Sequence, residues 1–448
     1  MLFQLPIFLL FFMSVLLTIR LVRDLWWQKI ILLLCSLFFY SFWNVHYIYV
    51  LGFYVFLGVF ACRLLANHPK FIMVLVLVGL IPLVFFKYTN FLLVSLGFDV
   101  TFDIGLPLGI SFITFTLISM MIDFSRMPKK SKFTVLDISL YISFFPHLIA
   151  GPILRSRELI PQLSKISVSW QNIVYNLPLF SVGMMKKVLI ADQIGTYVHP
   201  VFLHPEGYGS HSLLLAACGF AVQIYCDFSA YSDMAIATAG MLGIRFPENF
   251  HSPYLAHSLT ETWKRWHMTL SFWLRDYIFI PLVRRFRDSL PYMPILITML
   301  ASGLWHGANW TFVLWGGLQG VIMMLEKYTG YDRFVDTHKY IKPVGVLLNF
   351  IVWLLLLILF RSSSIEMAIS YYQSLFSFHI EPMTSKELTI WGLIFITLAL
   401  HAFDHADLIR NRMMKIPFTL SVPVMMVVII GCSMVAAQRP ESFYYFDF

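Results

Sequence analysis

Thirteen apolar runs separated by short polar loops constrain this chain more than any other feature. They lie near 5–19, 30–43, 47–62, 71–86, 104–122, 136–150, 174–198, 212–242, 268–283, 292–325, 343–360, 388–404 and 416–437. A helix needs about 20 apolar residues to cross a bilayer core. Shorter segments survive at membrane depth only where protein or a cavity covers their backbone. The pattern therefore predicts an all-α polytopic membrane protein with roughly 11 transmembrane helices, plus re-entrant or interfacial helices. Composition excludes an ordinary soluble domain: 59% of residues are hydrophobic, 12% are charged, and the mean hydropathy is +0.75. Many of the 43 Phe, with the Trp and Tyr rings, are expected to face lipid or the interfaces.

The net charge of +8 would suggest nucleic acid in a soluble protein, but here the bases cluster in short loops between apolar runs. Cytoplasmic loops collect Lys and Arg, so the charge reads as topology, with no nucleic-acid partner. Arg20, Arg23 and Lys29 follow the first run, Arg63 and Lys70 the third, and Arg126, Lys129, Lys130 and Lys132 the fifth. Loops Trp43–Tyr47 and Lys87–Asp103 carry little positive charge, which places the N-terminus outside. Lys327–Lys342 and Arg410–Lys415 are the later basic loops, so the last run points outward and leaves Arg439–Phe448 extracytoplasmic. The first run has no basic n-region before it and no clear cleavage site, and reads as a retained span. Cys35, Cys62, Cys218, Cys226 and Cys432 form no CxxC pair and read as buried small side chains, with neither a disulfide framework nor a metal site. The chain reads as one transmembrane domain: N-terminal spans in 1–132, a catalytic core in 133–330, and C-terminal spans with an extracytoplasmic tail in 331–448.

Several polar residues are out of place in such runs. His306, in Leu304-Trp305-His306-Gly307-Ala308-Asn309-Trp310, lies inside the apolar run near 292–325. An intramembrane ionisable residue is costly and is a functional-site hypothesis by default. The pairs Gly303/Gly307 and Gly316/Gly320 have the spacing that lets helices pack closely. Asp227 and Asp233 lie six apart in another apolar run, where structural hydrogen bonding is the more frequent role. Asn249 precedes Glu261-Thr262-Trp263-Lys264-Arg265-Trp266-His267. That charged, Trp-rich block reads either as an interface helix with snorkelling bases or as the wall of a tunnel facing an anionic donor. A single intramembrane His is more often structural; two, His267 and His306, both beside Trp, favour proton transfer, as a general base for acyl transfer would require. The chain shows no GxSxG elbow, phosphate-binding loop or HExxH motif.

Phe144–Pro152, Tyr225–Asp233, Glu261–Pro281 and Leu304–Gly317 together resemble the membrane-bound O-acyltransferase family, in its bacterial branch of alginate and peptidoglycan O-acetyltransferases. The resemblance implies a central tunnel narrowing near His306, with His306 as catalytic base and His267 as the second histidine. It gives Asn249, Trp263, Lys264, Arg265, Trp266, Trp305, Asn309 and Asp227 as tunnel or donor-binding candidates, with Arg284 and Arg285 as further bases for donor phosphates. Where many relatives read Ile-Asp-Val-Tyr-Arg-Gly, this chain has Ile122-Asp123-Phe124-Ser125-Arg126-Met127, so that Tyr position carries no role. The aromatic tail Phe443–Phe448 resembles the branch's C-terminal motif and makes Tyr445 either an interfacial anchor or an acyl relay. Further implications are acetyl-CoA as donor with no tightly bound cofactor, and an extracytoplasmic SGNH-hydrolase-like acetyltransferase partner with its own Ser-His-Asp triad. The resemblance also implies surrounding membrane lipid and a place in a bacterial cytoplasmic (inner) membrane. Two alternatives stay open. One is a D-alanyl transferase that takes its acyl group from a carrier-protein thioester. The other is a transporter, against which the hydropathy shows no inverted repeat.

Overall fold

The computed structural model describes residues 1–127, 133–286, 289–379, 381–439, 441 and 443–444. Lys129, Lys130, Lys132 and Tyr445 lie outside the described residues. All regular structure among the described residues is helical. Seven helices are long and apolar enough to cross a membrane, and Pro6–Leu21, Leu25–Ser41 and Met293–His306 are shorter apolar helices. On Pro6–Leu21, Leu10, Met13 and Leu17 are 59–68% exposed, and on Phe418–Gln438 Leu420, Val424 and Val427 are 62–71% exposed. Water would not tolerate such continuous apolar faces; lipid does, and the chain is a multi-pass membrane protein.

Two compact units interleave along the sequence. The first holds Met1–Met184, Tyr231–Pro247 and the described residues from Met413 on. Its core is a phenylalanine cluster: Phe3 and Phe8 lie 4.6 Å apart by ring centroids, Phe11 and Phe145 5.4 Å, and Phe39 and Phe145 5.6 Å. Each such pair adds about 0.5–1.5 kcal/mol beyond its buried area. Lys29 Nζ sits 2.6 Å from Asp137 and ties Leu25–Ser41 to Val135–Ser143, a helix opened by a Thr134–Asp137 capping box. The following Phe144–Pro152 stretch is buried without forming a regular helix. Gly109 faces it with φ of 71°, and a Cβ there would lie 2.8 Å from the Leu148 carbonyl oxygen.

The second unit holds Met185–Ala230 and Glu248–Arg412. The apolar run near 292–325, continuous by hydropathy, is two helices here, Met293–His306 and Trp310–Thr329. It breaks at Gly307–Asn309 because Asn309 caps the second helix, its Oδ1 accepting from Thr311 N at 3.0 Å. The two helices form a hairpin packed backbone to backbone. A Cβ on Gly303 would lie 3.1 Å from Gly316 Cα, and one on Gly320 3.1 Å from Leu296 Cα. The small-residue spacing thus serves contact within one hairpin. Preceding it, Met268–Leu274 and Ile280–Phe286 are joined by a π-helical turn, Arg275–Phe279.

Candidate active site

The site belongs to the second unit and begins at the tip of the glycine hairpin. His306 is the last residue of its helix, 3% exposed. Three rings surround its imidazole: Trp305 at 4.9 Å, Trp315 at 5.1 Å and Phe360 at 5.4 Å, each close to perpendicular. The Trp305 indole is also 5.9 Å from the His267 ring, so one side chain touches both histidines. The two residues singled out by sequence, 39 positions apart, therefore meet across a shared aromatic.

His267 is fully buried and left-handed, with φ of 42°. That conformation costs a non-glycine residue on the order of 1–3 kcal/mol and persists only where its surroundings impose it. Asn249 imposes it. Its carbonyl accepts from Met268 N at 2.9 Å, and its Oδ1 accepts from Thr269 N at 3.2 Å and from the Thr269 hydroxyl at 2.9 Å. Because a backbone N–H can only donate, the Asn249 oxygen is fixed as the acceptor. The contact of 3.2 Å between His267 Nδ1 and that oxygen then puts the proton on Nδ1 and leaves Nε2 as the basic nitrogen. Phe228 closes another side, with its ring 4.6 Å away.

His267 lies outside the seven candidate spans, and burial pulls its pKa down to about 3. It therefore stays neutral from about pH 5 upward. The folded pKa is below the ordinary His value, so the folded chain refuses a proton that the unfolded chain accepts. Its contribution to stability is complete above about pH 6.5 and is lost as pH falls from there toward 3. A His267→Gln variant, neutral at every pH, should show a flatter acid-side fall in thermal midpoint. Equal slopes in the two proteins would show that His267 is not held neutral.

The Trp-rich block is not one surface. Glu326 binds the start of the Leu259–Thr262 turn, accepting from Leu259 N at 2.7 Å and Thr260 N at 2.9 Å, which sets the block against the hairpin. Trp263 Nε1 donates to Gln319 Oε1 at 2.7 Å, and its ring is 6.1 Å from Trp315. Trp266 is buried among Phe250, Tyr254 and Trp353, at 5.1, 6.1 and 5.4 Å. Arg265 donates to Glu261 from Nε at 3.0 Å and from its terminal nitrogen at 2.7 Å. Burial alone would raise the Glu261 pKa; the His257 backbone N–H and Arg265 outweigh it and hold the carboxyl below its usual value. Lys264, Arg284 and Arg285 are exposed.

Asp227 and Asn309 have structural partners. Lys187 Nζ is 2.7 Å from Asp227 and 2.8 Å from Asp192. Next to it, Lys186 Nζ is 3.0 Å from Asp404, which also accepts from the Tyr225 hydroxyl at 2.6 Å. Asn309, besides capping its helix, donates to the Ser363 carbonyl at 2.7 Å. Sequence reasoning missed Trp315, Gln319 and Glu326. The available signal was that Thr311, Trp315 and Gln319 recur every four residues, a polar line on one helix face.

Comparison with known proteins adds to this geometry. Residues 125–369 match the model of the MBOAT, membrane-bound O-acyltransferase family. The chain is 33% identical over 404 residues to a probable alginate O-acetylase of Azotobacter vinelandii, covering 84% of this chain and 78% of that protein. It is 33% identical over 385 residues to a peptidoglycan O-acetyltransferase of Helicobacter pylori, covering 76% and 72%. A teichoic acid D-alanyltransferase of Bacillus subtilis is 26% identical over 264 residues, covering 54% of this chain and 65% of that protein.

Proposed function

The chain belongs to the membrane-bound O-acyltransferase family and is an O-acyltransferase; we propose that it moves acetyl groups from cytoplasmic acetyl-CoA across the membrane for O-acetylation of an extracytoplasmic polysaccharide. The observation that carries the chemistry is the buried His306, walled by rings and joined through Trp305 to a second histidine whose tautomer Asn249 sets. In this reading an acceptor hydroxyl gives its proton to His306 as its oxygen attacks the thioester carbonyl. His267, neutral and fixed, orients the site. The acetyl donor is favoured over D-alanine by identity and coverage: the O-acetylating relatives match at 33% over 76–84% of the chain, the D-alanyl relative at 26% over 54%.

The acceptor class, alginate-like polysaccharide or peptidoglycan, comes from those relatives' activities. An inner-membrane location, the outward tail, an SGNH-hydrolase-like partner and an acyl relay at Tyr445 belong to the same proposal. The test is isotope-labelled acetyl-CoA presented to the purified protein in vesicles of known orientation. Consumption from the face carrying Arg20, Arg23 and Arg63, with label recovered on Tyr445 or on added glycan, is the expected result. If acetyl-CoA goes unspent while a carrier-protein thioester is used, the donor assignment is wrong. Full transfer to glycan by Tyr445→Phe would remove the relay and keep the enzyme.

A further inference from the structure

Around His306 the second unit buries polar groups that find no partner among the described residues. Trp315 is 2% exposed and its Nε1 donates to nothing among the described residues; the same holds for Gln319 Nε2, Thr311 Oγ1 and Ser302 Oγ, all in fully buried residues. A buried donor left unmade costs about 1–3 kcal/mol. Four within one hairpin is more than a core tolerates without reason. Their placement is regular. Thr311, Trp315 and Gln319 stand at i, i+4 and i+8 of Trp310–Thr329, on one face with about 6 Å between successive positions. Ser302 stands one turn before His306 on the facing helix. Trp263, by contrast, spends its indole N–H on Gln319 Oε1, which holds the Gln319 amide with its NH2 turned to other work.

We propose that the Trp315 indole N–H is a catalytic residue of the acyl transfer. It donates to the carbonyl oxygen of the acyl donor and stabilises the negative charge that develops there. This rests on the acyl-transfer reading of His306. The Trp315 ring is 5.1 Å from the His306 ring and perpendicular to it, so base and donor lie side by side. An indole N–H can only donate, which suits an oxygen that becomes more negative. In a water-excluded site, such a fixed donor costs no reorganisation during reaction.

The step balances as follows. The acceptor oxygen forms a bond to the thioester carbonyl carbon as its proton moves to His306. The carbonyl π pair moves onto oxygen, and Trp315 N–H holds that oxyanion. When the pair returns, the carbon–sulfur bond breaks, and the departing thiolate takes the proton from the His306 imidazolium. Ester and thiol are the products, and no oxidant or other reactant enters. An extended chain advances about 6 Å over five bonds, the separation of the thioester and first amide carbonyls of a pantetheine arm. That matches one turn of helix, so the Gln319 NH2 takes the next carbonyl oxygen of a donor bound along this face.

The test is Trp315→Phe, and Trp315 replaced by 3-benzothienylalanine, which puts sulfur at the N–H position with the ring volume kept. Wild type and His306→Ala run beside them with acetyl-CoA. Expected is a fall in kcat of about 10²–10³-fold, with donor KM within threefold and an unchanged thermal midpoint for the isosteric variant. A benzothienyl variant within threefold of wild-type kcat overturns the proposal. So does a loss carried entirely by KM or by stability. A wild-type protein that leaves acetyl-CoA unspent would instead overturn the donor reading, and this proposal with it.

Discussion

His306→Ala is expected to lose about 10²–10⁴-fold in acetyl transfer, the usual contribution of a positioned general base. The expectation comes from position more than residue type. The imidazole is 3% exposed, sits at the end of a helix whose backbone is pinned by Gly303 against Gly316, and is boxed by Trp305, Trp315 and Phe360. Those rings leave the imidazole little freedom to be replaced by water or by a neighbouring base. His267 is a poor substitute, since burial pulls its pKa down to about 3, far below that of a base effective near neutral pH.

Removal of a ring from this box also leaves a cavity, and a large-to-small change in a packed interior costs about 2–5 kcal/mol. His306→Gln separates the two effects because it fills more of the space and keeps a hydrogen-bonding group without a base near neutral pH. Both variants should lose transfer, and the Gln variant should keep its thermal midpoint and its binding of donor. If His306→Gln retained more than about a tenth of the wild-type rate, His306 would not be the base. His267→Gln, read in the same assay, should lose less, since in the proposed reading that residue orients the site and His306 takes the proton.

What was legible in the sequence follows from range. Hydropathy is a local property, and it marked the long apolar helices, Pro6–Leu21 and Phe418–Gln438 among them, but not short ones such as Tyr331–Thr337 or the end of Val135–Ser143 inside the run 136–150. His306 stood out because an ionisable group in an apolar run is conspicuous within one window of sequence. The break inside 292–325 was less visible: Gly307-Ala308-Asn309 is three residues, and Asn309 declares itself a cap only through its bond to Thr311 N. Partners remote in sequence could not be read at all. Trp263 finds Gln319 56 residues on, and Lys186 finds Asp404 218 residues on. Arg265, read as a base for donor phosphate, is held by Glu261 four residues earlier, a spacing the sequence did offer. Lys186 and Lys187 attract little notice as a pair beside a long apolar run, yet they are 7% and 1% exposed.

Lys187→Ala should be the most damaging substitution away from the histidines. Lys187 Nζ lies 2.7 Å from Asp227 and 2.8 Å from Asp192, in a π-helical turn, Lys186–Ala191, within the apolar span Trp170–Leu203. In that turn two consecutive lysines are buried, and each meets a carboxylate. Removing the cation takes that counter-ion from two carboxylates in a poorly solvated interior. Breaking a buried pair in this way costs about 3–5 kcal/mol, a large share of the 5–15 kcal/mol that holds a typical domain folded. The expected readout is a sharp loss of monodisperse protein on extraction and a lowered thermal midpoint. Lys187→Met combined with Asp192→Asn and Asp227→Asn removes the charges together and should recover most of the midpoint, because uncharged groups of similar volume need no counter-ion. Full transfer activity per folded molecule in that triple variant would make Asp227 a strut of the fold. A restored midpoint with lost transfer would make the same carboxylate part of the tunnel chemistry.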